Sequence, residues 1–134
     1  MPTYKTRTKD CKYYTEEAMR NLGWKVNDNI QEKYAKHECA VIYSGYNTTL
    51  LTNQSYVPTA YIKIIFEMDD NNEMVQTADE LIDYVTGYVK LDSHAPWSTT
   101  FIAESTDFIP NGKSYIGEIT FSYYYERAWR TSEF

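Results

Sequence analysis

Between positions 114 and 129 the chain reads SYIGEITFSYYYERAW, and this run constrains the fold more than any other. Successive side chains of a strand point to opposite faces. Tyr115, Gly117, Ile119, Phe121, Tyr123 and Tyr125 therefore share one face, and Ile116, Glu118, Thr120, Ser122, Tyr124 and Glu126 share the other. One face is apolar and the other mixed, the pattern of an antiparallel sheet with a covered and a wetter side. Pro110-Asn111-Gly112 precedes it as a turn, because proline fixes φ and Asn-Gly accepts positive φ. The segment 99–109, with Phe101, Ile102, Phe108 and Ile109, is then the other half of a hairpin.

The rest of the chain supplies two helices and two further strands. Cys11, Tyr14, Ala18 and Leu22 recur at helical spacing and predict a helix over 9–22, with Gly23 placed to take the left-handed position that ends it. Trp24 and Val26 flank Lys25 in a short extended piece, and 28–36 is polar without a period. An apolar run, 39–43, bounded by His37-Glu38 and Ser44-Gly45, predicts a buried strand. The segment 46–57 reads as a long polar loop that nevertheless keeps Leu50 and Leu51, and loops of about a dozen residues are usually functional or ordered from outside. In 59–68, Ile62, Ile64, Phe66 and Met68 face one way and Tyr61, Lys63, Ile65 and Glu67 the other, before the polar turn Asp69-Asp70-Asn71-Asn72. Thr77 and Glu80 have the spacing of a capping box, and Ala78, Leu81, Ile82, Val85, Tyr88 and Val89 follow as a helical stripe. No repeat or linker divides the chain. The expected architecture is a single α+β domain over 1–134, a two-layer sandwich of a small, mostly antiparallel sheet packed by two helices.

The chemistry of the chain narrows function mainly by exclusion. A net charge of −6 argues against gripping nucleic acid, which needs Lys and Arg to neutralise phosphates, and against docking on anionic membranes. The two cysteines, Cys11 and Cys39, are too few for a disulfide framework and read as small buried hydrophobes. No apolar run approaches the ~18 residues of a membrane span, and the basic N-terminus lacks the apolar stretch of a secretory signal, so synthesis inside the cell is expected. His37-Glu38-Cys39 offers three ligand types in a row, but neighbours on an extended chain diverge and do not close on one ion. Asp69, Asp70 and Glu73 lack the spacing of a calcium loop, and Asp79, Glu80 and Asp83 read as first-turn charges that suit a helix dipole. His37 and His94 sit in no nucleophile motif, and the five glycines are too scattered for a phosphate loop. The sequence thus predicts no catalytic residues, no metal and no cofactor.

What remains unexplained is aromatic surface. Fourteen tyrosines are more than strands of one small domain need, and Tyr123, Tyr124 and Tyr125 in succession put rings on both faces of a sheet. Aromatic residues and Arg are enriched where proteins meet. The expected interface therefore comprises Tyr46, Leu50, Leu51 and Tyr56 around the long loop, and Tyr123, Tyr124, Tyr125, Arg127, Trp129 and Arg130 at the end of the last strand.

In this order, an N-terminal helix, the strand CAVIYSG, a long polar loop, the strand AYIKIIFEM, the helix TADELIDYVTGYV and a hairpin ending GEITFSYYYER resemble the tail terminator proteins of long-tailed bacteriophages. The resemblance covers most of the chain as an order of elements rather than an invariant motif. It implies a homo-oligomeric, hexameric ring on the end of the completed tail tube that stops polymerisation and offers the surface joining tail to head. The implied partners are further copies of the chain, the tail tube protein and a head–tail connector or neck protein. The implied location is the head-proximal end of the virion tail, with DNA passing through the lumen unheld. Another neck or head-completion connector and, more distantly, a small-ligand-binding α+β domain are the competing readings.

Overall fold

The computed structural model describes residues 7–50, 55–91, 100–124 and 127–128. The elements are α1 (Arg7–Asn21), β1 (Lys25–Asn27), β2 (Glu38–Leu50), β3 (Ser55–Met68), α2 (Asn71–Thr86), β4 (Thr100–Asn111), β5 (Ser114–Tyr124) and β6 (Arg127–Ala128). The strands form one mixed sheet in the order β1-β2-β3-β5-β4, with β6 also on β3; β1 runs parallel to β2 and the remaining pairs are antiparallel. Both helices pack on one face, giving the two-layer α+β sandwich expected. No described helix is long and apolar enough to cross a membrane.

α1 ends because Gly23 adopts φ +98°, so that the amide of Gly23 reaches the Arg20 carbonyl (2.9 Å) and that of Trp24 the Met19 carbonyl (3.0 Å). This paired closure satisfies carbonyls that the last turn leaves open, and it brings Trp24 and Met19 into the same core. The buried stripe is Cys11, Thr15, Ala18 and Met19; Leu22, expected in it, is 37% exposed because the helix turns off before Leu22 can face the sheet.

α2 begins about two turns earlier than Thr77 predicts. Asp70 is its N-cap, its carboxylate accepting from the Glu73 amide at 3.1 Å, and Thr77 lies inside the helix. The longer helix wins because it buries Met74 one turn ahead of Ala78, in line with Leu81 and Val85. Asp79, Glu80 and Asp83 are consequently mid-helix and receive little from its dipole. Past Gly87 the chain continues as a π-helical turn to Leu91, keeping Val89 buried.

β3 is the centre of the sheet. Its Ile62, Ile64, Phe66 and Met68 are buried under the helices with Cys39 and Val41 of β2 and Ile119, Phe121 and Tyr123 of β5. Gly117 lies opposite Phe66, and a methyl group there would stand 2.7 Å from both the Phe66 ring and the Met74 sulfur. The other face is partly roofed by 28–36, whose buried Tyr34 packs with Ala40 and Ile65. Glu67 ties this roof down: one carboxylate oxygen accepts from the Tyr34 amide at 2.8 Å and the other from the Ser114 hydroxyl. The β4–β5 hairpin turns at Gly112-Lys113, with Asn111 opposite Ser114, one position past the Asn111-Gly112 step of the expected turn.

Two sequence expectations change at the far end of the sheet. The segment 46–57 is largely strand rather than loop, since β2 and β3 stay paired from Gly45↔Tyr61 out to Leu50↔Tyr56. A bulge between Tyr43 and Gly45 shifts the register there, which hides the alternation from a reading of sequence. Strand β6 keeps the register of β5 on β3, so the 114–129 strand is realised as two pieces on one ladder, Tyr115↔Met68 through Ala128↔Ser55.

Candidate functional site

Two features are candidates for function: an arm of the sheet and a cavity between the helices. The arm follows from strand length. β2 and β3 run 13 and 14 residues, or about 45 Å at ~3.4 Å per residue, whereas strands usually have about 5–6. Backbone pairing on β3 continues from Met68 out to Ser55.

The expected interface residues that are described fall on β2, β3, β5 and β6. Leu50, Tyr56 and Arg127 occupy one rung across β2, β3 and β6. Tyr46 lies opposite Ala60, and Tyr124 lies between Thr59 and Thr100. Leu51, Tyr125, Trp129 and Arg130 lie outside the described residues, as does His94. Tyr123 is a correction: it is a core residue, fully buried, with its hydroxyl 2.7 Å from that of Thr15. Thr15 gives its own proton to the Cys11 carbonyl (2.9 Å), so Tyr123 is the donor to Thr15. Burial pushes the Tyr123 phenol well above the ordinary tyrosine range. Its place on the apolar face of 114–129 was readable; the hydroxyl partner, 108 positions away in sequence, was not.

Among the described residues, the sheet also ends in long unpaired edges. β1 covers β2 only at Glu38, Cys39 and Ala40, and β4 has β5 on one side and no described strand on the other. Each edge carries a bulge, between Tyr43 and Gly45 on β2 and between Ala103 and Ser105 on β4. Bulges and charges such as the exposed Asp107 are what keep open edges from pairing indiscriminately.

The cavity, of about 630 Å³, opens between the end of α1 and the middle of α2. Trp24 forms its floor, held edge-on against Phe66 (5.9 Å between centroids), with Leu22 and Leu81 as apolar wall. Glu80, Asp83 and Tyr84 enter from α2, and the Tyr84 hydroxyl accepts from the Asn21 amide side chain. His37 closes the side, its ring 5.3 Å from that of Trp24. It has φ +60°, a conformation that costs a non-glycine residue about 1 kcal/mol. It is held there by its carbonyl, which accepts from the Lys25 amide at 2.9 Å. No sequence pattern pairs Trp24 with His37 or either with Glu80, because three separate elements bring them together.

The His37-Glu38-Cys39 run diverges as an extended chain must. His37 faces this cavity, while Glu38 accepts from the Ala35 amide and from Asn27, contacts that hold its carboxyl below the usual range. Cys39 is buried in the core, where desolvation pushes its thiol up to about 12. No group of three potential metal ligands is gathered among the described residues. No protein-family model matches this chain, and no curated protein matches it significantly.

Proposed function

We propose that the chain is a structural, self-assembling virion protein, a subunit of a ring that caps a phage tail tube and offers the surface for joining the head. The observation that carries this reading is the three-stranded arm together with the two open sheet edges. Strands usually have about 5–6 residues, yet β2 and β3 stay paired out to the rung of Leu50, Tyr56 and Arg127. The edges left open among the described residues are different strands on opposite sides of the sheet, β2 and β4. Contacts between unlike surfaces of successive copies are heterologous, and close into rings when the rotation per copy divides the circle. The aromatic and Arg residues of the arm and of the adjoining C-terminal segment are those that such contacts use.

The test is imaging and mass measurement of the purified protein, alone and with tail tubes. Closed rings, or a discrete collar at one end of tubes from tails that lack heads, is the expected result. A monomeric mass under both conditions overturns the proposal. Binding to heads but not to headless tails moves the assignment to a neck or head-completion connector.

A further inference from the structure

The cavity between α1 and α2 has no role in ring formation as proposed above, and its chemistry is different from that of the arm. We propose that it binds a ligand bearing a guanidinium or alkylammonium head on a short aliphatic stem, the shape of an arginine or lysine side chain. Its inner surface is apolar, made by Trp24, Leu22 and the buried Leu81, while Glu80 and Asp83 stand exposed at the mouth. This gradient matches a stem laid along hydrocarbon with its charged head at the polar end. Indole is the aromatic ring that attracts cations best. The volume is within the ~300–1,000 Å³ of small-ligand sites.

Charge decides the sign of the ligand. Among the described residues, no Lys or Arg lines the cavity. Lys25 and Lys36, the cations adjacent in sequence to Trp24 and His37, are turned to Glu38 (3.6 Å) and Glu73 (3.8 Å). Neither Glu80 nor Asp83 is in an ion pair among the described residues; Glu80 has only a 3.5 Å contact from Gln76. An anion would meet two uncompensated carboxylates, and a neutral ligand would leave them unmatched.

The experiment follows the Trp24 indole N–H by NMR in the full chain during titration with n-butylguanidinium, with n-butylurea as its neutral near-isostere. Saturable shifts at Trp24 with the cation, and none of comparable size with the urea, are expected. The variant Glu80→Gln/Asp83→Asn, altered only at exposed helix positions, should keep the spectrum of the folded protein and bind the cation at least about tenfold more weakly, the equivalent of about 1.4 kcal/mol. No saturable shift up to roughly 50 mM, far above the ~1 mM scale of weak single-site binding, overturns the proposal. So does an equal response to the urea, or undiminished binding in the variant. A parallel titration with acetyl-arginine amide distinguishes the sources. Tighter binding of the amide than of butylguanidinium indicates a protein side chain as the natural occupant, and weaker binding a free organic cation; either supports the site. Because ring formation is measured separately, failure here leaves the tail-tube reading standing, and the reverse also holds.

Discussion

Gly117 sets the distance between the sheet and α2, because the Phe66 ring and the Met74 sulfur occupy the space a Cβ would need. Both neighbours are fully buried and packed on every side, so neither yields without displacing others. Gly117→Ala should therefore destabilise the fold by about 1–3 kcal/mol, the usual cost of overfilling a core. Chemical denaturation of the two proteins checks this, and an unchanged midpoint would show that Phe66 can move aside. The position was legible as core, since alternation places Gly117 between Tyr115 and Ile119; the reason for a glycine there was not, because it depends on a ring from another strand. The same holds for Tyr123. Its face could be read from the strand, but three consecutive tyrosines look like surplus surface until Thr15 supplies a buried acceptor for one of them.

At the scale of elements, the sequence was most readable where one periodicity persisted. Ile62 to Met68 and Ile119 to Phe121 kept their alternation and are buried as expected. It was least readable where a local signal competed with a packing requirement. Thr77 and Glu80 form a plausible box on spacing alone, yet the helix begins at Asn71 so that Met74 enters the core. Capping exchanges are worth ~1 kcal/mol, while burying a methionine side chain is worth roughly 1.5–3 kcal/mol, so packing outweighs the box. The two starts make different predictions. Asp70→Ala should lower stability by about 1 kcal/mol through loss of the bond to the Glu73 amide, whereas Thr77→Ala at an interior helical position should change it by less than ~0.5 kcal/mol. Equilibrium unfolding of both variants decides; a larger effect at Thr77 would return the start of α2 to the box. The segment 46–57 failed for a related reason. Its polar Asn and Thr residues signal a loop, and the bulge after Tyr43 breaks the alternation that would have signalled a strand.

At the scale of the whole molecule, the long β2–β3 hairpin can be shortened to test its role directly. The core lies under the helices, from Met68 to Ala60 on β3, and would be left intact if the hairpin were shortened. Excising 48–58 and joining Asn47 to Thr59 through an Asn-Gly turn removes the rung of Leu50, Tyr56 and Arg127 while keeping Asn47 opposite Thr59 and Tyr46 opposite Ala60. Backbone pairing at the tip of a long hairpin adds little to a core that already excludes water, so the shortened chain should fold with a circular dichroism spectrum of the same class. Its melting temperature should lie within about 5 °C of the parent, corresponding to roughly 1–2 kcal/mol for a domain of this size. If the arm is the contact between copies, the same variant should run as a monomer and leave tail tubes uncapped under conditions where the parent forms rings. Rings that persist without the arm would move the contact to the open edges of β2 and β4, and a charged substitution at the exposed Ile102 of β4 would then be the variant that dissolves them. Loss of folding in the shortened chain would instead show that the arm belongs to the stability of the domain, and would remove the observation on which the assembly reading rests.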